Sequence, residues 1–131
     1  MTNAKTDYLE DAVLNHVLRN SAYASPTSVF VGLFTTLPAD DGTGGVEVTG
    51  GSYARQGPVT FGAPASGIVA NSGAITFPTA TAGWGTVLGM GIWDMVSGGN
   101  LLYYGLLATS KTVDIGDQIS FANAALTVGE Q

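Results

Sequence analysis

Any acid–base chemistry in this chain has to be built from very few side chains. His16 is the one histidine among 131 residues, and histidine is the side chain whose ordinary pKa suits proton transfer near neutrality. It falls on an N-terminal helical pattern, and no G-x-S-x-G elbow occurs in the sequence, so a Ser-His-acid triad is not expected. His16 is read as a packed side chain. The absence of cysteine excludes thiol nucleophiles, disulfides and thiolate metal sites together. Asp40, Asp41 and Glu47 share the acidic, Gly-rich stretch 35–52 and invite a calcium hypothesis. The alternating ligands and terminal Glu of an EF-hand loop are missing, however, so a solvated loop without metal is expected. Glu47, Asp94, Asp114 and Asp117 could supply a pair of catalytic carboxylates. All four lie in or beside turn sequences, where Asp ordinarily serves local backbone donors. GLLATSKT at Gly105–Thr112 has Ser110 where a phosphate-binding loop needs its second glycine, and a strand pair is expected to follow it. The residues therefore point to no catalytic side chain, no metal and no cofactor. One binding chemistry stays open. Trp84 and Trp93, with Tyr103 and Tyr104 near them, could line a face on which sugar rings stack, although at least two of these four are expected in the core.

Composition narrows the partners. Charged residues make up 11% of the chain against 45% hydrophobic, and the net charge is −6. Four dispersed basic residues, Lys5, Arg19, Arg55 and Lys111, cannot supply the clustered cations that a phosphate backbone requires, so nucleic acid is not an expected partner. The N-terminal MTNAKTDYLED has no apolar signal-peptide core, and no apolar run approaches the roughly 18 residues of a membrane helix. What remains for the surface is Ser, Thr, Gly, Asn and small apolar groups, which suits packing against copies of itself or a partner.

The elements that would position these residues begin at a helix over residues 7–19, with Asp7 as its cap and residues 1–6 as a loose leader. Leu9, Val13 and Val17 recur every four residues as an apolar stripe. Val29–Phe34 reads as the first buried strand, and Val46–Val48 as a short edge strand within the 35–52 loop. Tyr53–Phe61 reads as a strand interrupted at Gly57-Pro58, which belongs at an edge or bulge because proline cannot donate to a ladder. Residues 62–72 read as a turn-rich connection, followed by a strand from Ile75. Thr86–Trp93 and Leu101–Leu107, apolar on both faces around the Gly-rich turn DMVSGGN, form a central hairpin. Thr109–Asp114 and Gln118–Phe121 read as a further pair, and Leu126–Val128 as the last strand. The expected fold is mainly β, an antiparallel β-sandwich or jelly-roll-like barrel preceded by one N-terminal amphipathic helix. It occupies a single domain over residues 1–131, with leader and helix at 1–22 and β-body at 28–128.

GGVEV-x-GG-x-YARQ at Gly44–Gln56 and TFPTATA-x-WG at Thr76–Gly85 carry a resemblance that extends from about Tyr8 to Val128. The chain resembles a family of small bacteriophage proteins labelled phage tail fibre protein, with Gly57 between Gln56 and Pro58 as a departure that implies a bulge. The resemblance implies a non-enzymatic virion structural protein, assembled in the host cytoplasm, with tail or coat subunits as partners and no membrane or nucleic acid. A homo-oligomer is expected, a trimer or other closed ring among its forms. Two alternatives accompany the tail-fibre module: a capsid decoration (cement) protein stabilising the head, and a module binding a host surface glycan. Candidate partner-binding residues are Leu9, Val13 and Val17 on the helix, Asp40, Asp41 and Glu47 in the loop, and Arg55. Candidate glycan-binding residues are Trp84 and Trp93.

Overall fold

A computed structural model describes residues 2–130. The sequence pattern of the central hairpin is realised as β6 (Gly85–Trp93) and β7 (Leu101–Val113), numbered among nine strands in chain order. Asp94 Oδ1 accepts from the Asn100 backbone N–H at 2.7 Å, and the Asn100 side chain donates to Asp94 Oδ2 at 3.1 Å, closing the turn between them. The hairpin sits at the middle of a five-stranded antiparallel sheet in the order β1-β7-β6-β2-β3, with β1 at Thr2–Lys5, β2 at Phe30–Thr36 and β3 at Val46–Glu47. Two short ribbons complete the body: β4 (Ile68–Ala70) with β9 (Thr127–Gly129), and β5 (Ile75–Thr76) with β8 (Ser120–Phe121). The fold is mainly β, antiparallel and sandwich-like, with one helix, α1, at Asp7–Leu18.

Register explains which residues form the core. Val31 pairs with Ile92 and Leu33 with Met90, which puts all four on one face of the main sheet. That face meets Phe77, Phe121, Leu126 and Val128 from the ribbon side in one buried cluster. The opposite face carries a strip of small residues, because Gly32 pairs with Gly91 and Phe34 with Gly89. Trp93 lies across that strip. A Cβ on Gly91 would come within 2.7 Å of both the Phe34 and Trp93 rings, and one on Gly32 within 2.7 Å of Trp93. The rings of Phe34 and Trp93 pack with centroids 5.2 Å apart. Both aromatics therefore come close to the sheet backbone, because Gly32 and Gly91 place no side chain beneath them.

The structure corrects the sequence reading in several places. The described part of the leader is no loose segment: Thr2–Lys5 pairs antiparallel with Leu106–Tyr103 as an edge strand. The helix cap is Thr6, not Asp7, since the Thr6 hydroxyl accepts from the Leu9 N–H and its backbone already lies in the extended region. Thr6 also donates to the Leu101 carbonyl at 2.7 Å, which ties the cap to the sheet. Tyr53–Phe61 does not form a strand. It runs along the outer edge of β2 and bonds at intervals, through Gln56 to Val31 and Val59 to Val29, with Gly57-Pro58 breaking the ladder between them. Residues 62–72 contain β4, which the turn residues around it obscured. Thr109–Val113 is the continuation of β7, with Lys111–Val113 paired to β6, and β8 pairs with β5, so the two runs read as partners belong one to the main sheet and one to a ribbon.

The glycine strip predicts a sharp contrast between substitutions. Gly91→Ala should cost about 2 to 3 kcal/mol in urea unfolding, because the rings above it have nowhere to retreat. Gly62→Ala, where an added Cβ would meet nothing closer than 3.8 Å, should stay within about 0.5 kcal/mol.

Candidate functional site

Arg55 draws together more of the candidate residues than any other side chain. Its Nε and Nη2 reach the two carboxylate oxygens of Glu47, each at 2.9 Å, as a two-pronged ion pair. Its Nη1 donates to the carbonyls of Met95 and Gly98 at 2.9 and 2.8 Å. The guanidinium centre sits 3.9 Å from the centroid of Trp93, over the ring. Glu47 Oε2 also accepts from the Tyr53 hydroxyl at 2.6 Å, and that hydroxyl in turn accepts from the Leu33 N–H at 2.9 Å. One cation therefore fastens the short edge strand β3, the 53–56 segment and the β6–β7 turn onto the aromatic face of the sheet. The Arg55 side chain is only 9% exposed. Within the chain, Glu47 is the carboxylate that Arg55 pairs with.

The remaining acidic candidates are dispersed. Asp40 accepts from the Tyr104 hydroxyl, and its backbone carbonyl receives the first N–H of α1, from Asp7, at 2.8 Å. Asp41 turns back on its own loop, accepting from the Thr43 N–H at 2.9 Å and the Thr43 hydroxyl at 2.6 Å, and these bonds hold its carboxyl below the usual range. Among the described residues there is no group of three His, Asp or Glu placed to hold a metal ion, and no buried side-chain polar atom lacks a partner. Gly105–Thr112 lies within β7 as extended strand, so its resemblance to a phosphate loop ends with the sequence.

The tryptophans are a correction. Trp84 and Trp93 are 5% and 6% exposed, so neither offers a free face to a sugar. Trp84 donates from Nε1 to the Gly51 carbonyl at 2.9 Å and takes the Tyr53 ring edge-on at 5.5 Å. Trp93 lies between the glycine strip and Arg55. Tyr103 and Tyr104 are half-buried.

The helical stripe divides along its length. Leu9 is buried where α1 packs on β7 and β1, Val13 is half-buried, and Val17 is 67% exposed. Leu14 and Leu18, which the stripe did not include, are 53% and 75% exposed and stand beside Val17 at helical spacing. The signal for them is present in LNHVL, where Leu14 and Leu18 are themselves four residues apart. The sequence reading also missed a cluster joining the two ends of the described chain, in which Lys5 pairs with Glu130 and the Tyr103 hydroxyl donates to Glu130 at 2.8 Å.

Fold and polar groups together define a β-module in which charged side chains hold its own loops and the two ends of the described residues. Residues 4–129 match the family model described as Podophage GP4 fiber I protein gp80, and the chain belongs to that family. It is thus a phage tail-fibre-type protein associated with the virion. No curated protein matches it.

Two outcomes follow from the geometry. Arg55→Ala strands the Glu47 carboxylate and two turn carbonyls, and should cost about 3 kcal/mol in denaturant unfolding. Arg55→Lys should recover only a minor part, since an ammonium cannot make the fork. The second concerns pH. Burial first, and then the bond to Glu47, raises the Tyr53 phenol; burial and Glu130 raise Tyr103; burial and Asp40 push Tyr104 up to about 12. These protons are held more tightly folded than unfolded. Their contribution to stability is complete below the ordinary tyrosine value of about 10 and is lost as pH rises through the folded values. Thermal melts should therefore decline above about pH 10, with tyrosinate absorbance lagging until the fold is lost. A single titration of all five tyrosines near the ordinary value, with circular dichroism unchanged, would contradict this.

Proposed function

We propose that this chain is a non-enzymatic structural module of a phage fibre, docked on neighbouring virion proteins through the outer end of α1. The observation that carries the reading is the unpaired apolar end of that helix. Leu14, Val17 and Leu18 are exposed on a helix whose opening turn is sealed to the sheet by Thr6 and Leu9. A short helix gains most of its stability from packing, and large exposed apolar groups clustered at one end are what an interface uses. Membership of a fibre family supports a particle context. The dispersal of the carboxylates among local partners supports a structural role, since acid–base catalysis needs two such groups brought to bear on one point. The low charge of the chain suits many copies packed on one particle, and a homo-oligomer belongs to the proposal.

Val17→Glu and Leu18→Glu test it. Both positions are exposed, so each variant should keep the wild-type melting curve while its incorporation into particles falls at least several-fold in a complementation assay. Full incorporation of both variants would refute docking through α1. Immunogold labelling of purified particles adds the location: label on the tail supports the fibre module, and label spread over the head would replace it with capsid decoration.

A further inference from the structure

Where the main sheet and the β4–β9 ribbon part, they leave a cavity of about 330 Å3. Val29 and Ile92 line it from the main-sheet side, Val69 and Val128 from the ribbon, and Phe61 with Pro64 from the connecting loop. Tyr103 and Glu130 are the only polar side chains on its lining.

Three features make this more than loose packing. First, the sheet and the ribbon are tied to each other at one edge by polar bonds. The Asn3 side chain on β1 exchanges two hydrogen bonds with the backbone of Gly129 on β9, at 3.1 and 3.0 Å, while the Glu130 N–H extends the ribbon's own ladder to the Gly67 carbonyl at 2.8 Å. The edge strand β1 thereby fixes where the end of β9 sits beside the opening. Second, among the described residues of the rim the one charged side chain is already paired. Glu130 is engaged by Lys5 through one oxygen and by the Tyr103 hydroxyl through the other. A charged ligand would find no unpaired counter-charge among these residues, whereas a neutral apolar one would take the apolar lining out of water. Third, the size suits a ligand. It exceeds the roughly 150 Å3 that holds a benzene ring and sits at the lower end of small-molecule sites, about 300–1,000 Å3. Gly67 is exposed and Val69 half-buried, so the lining reaches the surface.

We propose that this cavity is a binding site for a neutral, apolar small molecule of about the size of a bicyclic aromatic. Selectivity comes from the rim, which accepts no net charge. This site is separate from the docking end of α1, and its test does not depend on particle assembly.

The experiment is a titration of the isotope-labelled full chain with indole, followed by amide and methyl NMR. Tryptamine and indole-3-acetate serve as the cationic and anionic relatives of the same ring. Indole should shift the Val69 and Val128 signals saturably, and both charged relatives should bind roughly tenfold or more weakly. Val69→Phe, which fills the cavity, should abolish the shifts while leaving the rest of the spectrum in place. Should that variant fail to fold, Val29→Phe provides the same readout from the other wall. Absence of a saturable shift, saturable shifts centred away from Val69 and Val128, or equal binding of either charged relative would overturn the proposal.

Discussion

The close packing of two aromatic rings on side-chain-free sheet backbone is the constraint on which most of this structure depends. Trp93 and Phe34 can come this close to the sheet only where the strands beneath them carry no side chains, and Gly32 and Gly91, paired on adjacent strands, supply that strip. Once Trp93 is seated, its outer ring surface becomes the platform for Arg55. Arg55 then has two prongs for Glu47 and one for the turn carbonyls of Met95 and Gly98. Strand β3, the 53–56 segment and the hairpin turn are all held through that one guanidinium. Planar, fork-shaped and permanently charged, arginine is the side chain able to stack and chelate at once.

The same economy of charge runs through the rest of the molecule. Ten carboxylates and four basic side chains make net repulsion a concern, yet the acidic groups that matter to the fold are neutralised or hydrogen-bonded close to home. Asp40 meets Tyr104, Asp41 meets Thr43, and Glu130 meets Lys5 and Tyr103. Such pairings leave few polar groups free to act on a substrate. They also leave the apolar features as the places where the molecule is open to others. One is the outer end of α1, and another is the gap between the main sheet and the β4–β9 ribbon.

The legible parts of the fold were those with strong local patterning. Apolar runs on both sides of DMVSGGN identify the β6–β7 hairpin, since few residues other than Ser, Gly and Asn tolerate that turn. The Leu9, Val13, Val17 spacing identifies the helix, and VFVGLF the buried strand beside the hairpin. Elements that depend on a distant partner were not legible. TNAK has no strand signal of its own and becomes β1 only because β7 offers an edge. Likewise Ile68–Ala70 becomes a strand because Thr127–Gly129, almost sixty residues on, pairs with it. Tyr53–Phe61 shows the converse, an apparent strand reduced to scattered bonds by a proline in its middle.

By itself, then, the sequence determined the class of fold, the presence of one leading helix and the family to which the chain belongs, because periodicity, turn residues and motif spacing are local properties. Tertiary structure alone decided what each candidate residue is for. Trp93 looked like a surface for sugars until its faces were seen to be taken by glycine backbone and Arg55. Glu47 looked like a loop carboxylate facing outward until Arg55 and Tyr53 closed on it. Burial and pairing are set by residues far apart in the chain, and only folding brings them into contact.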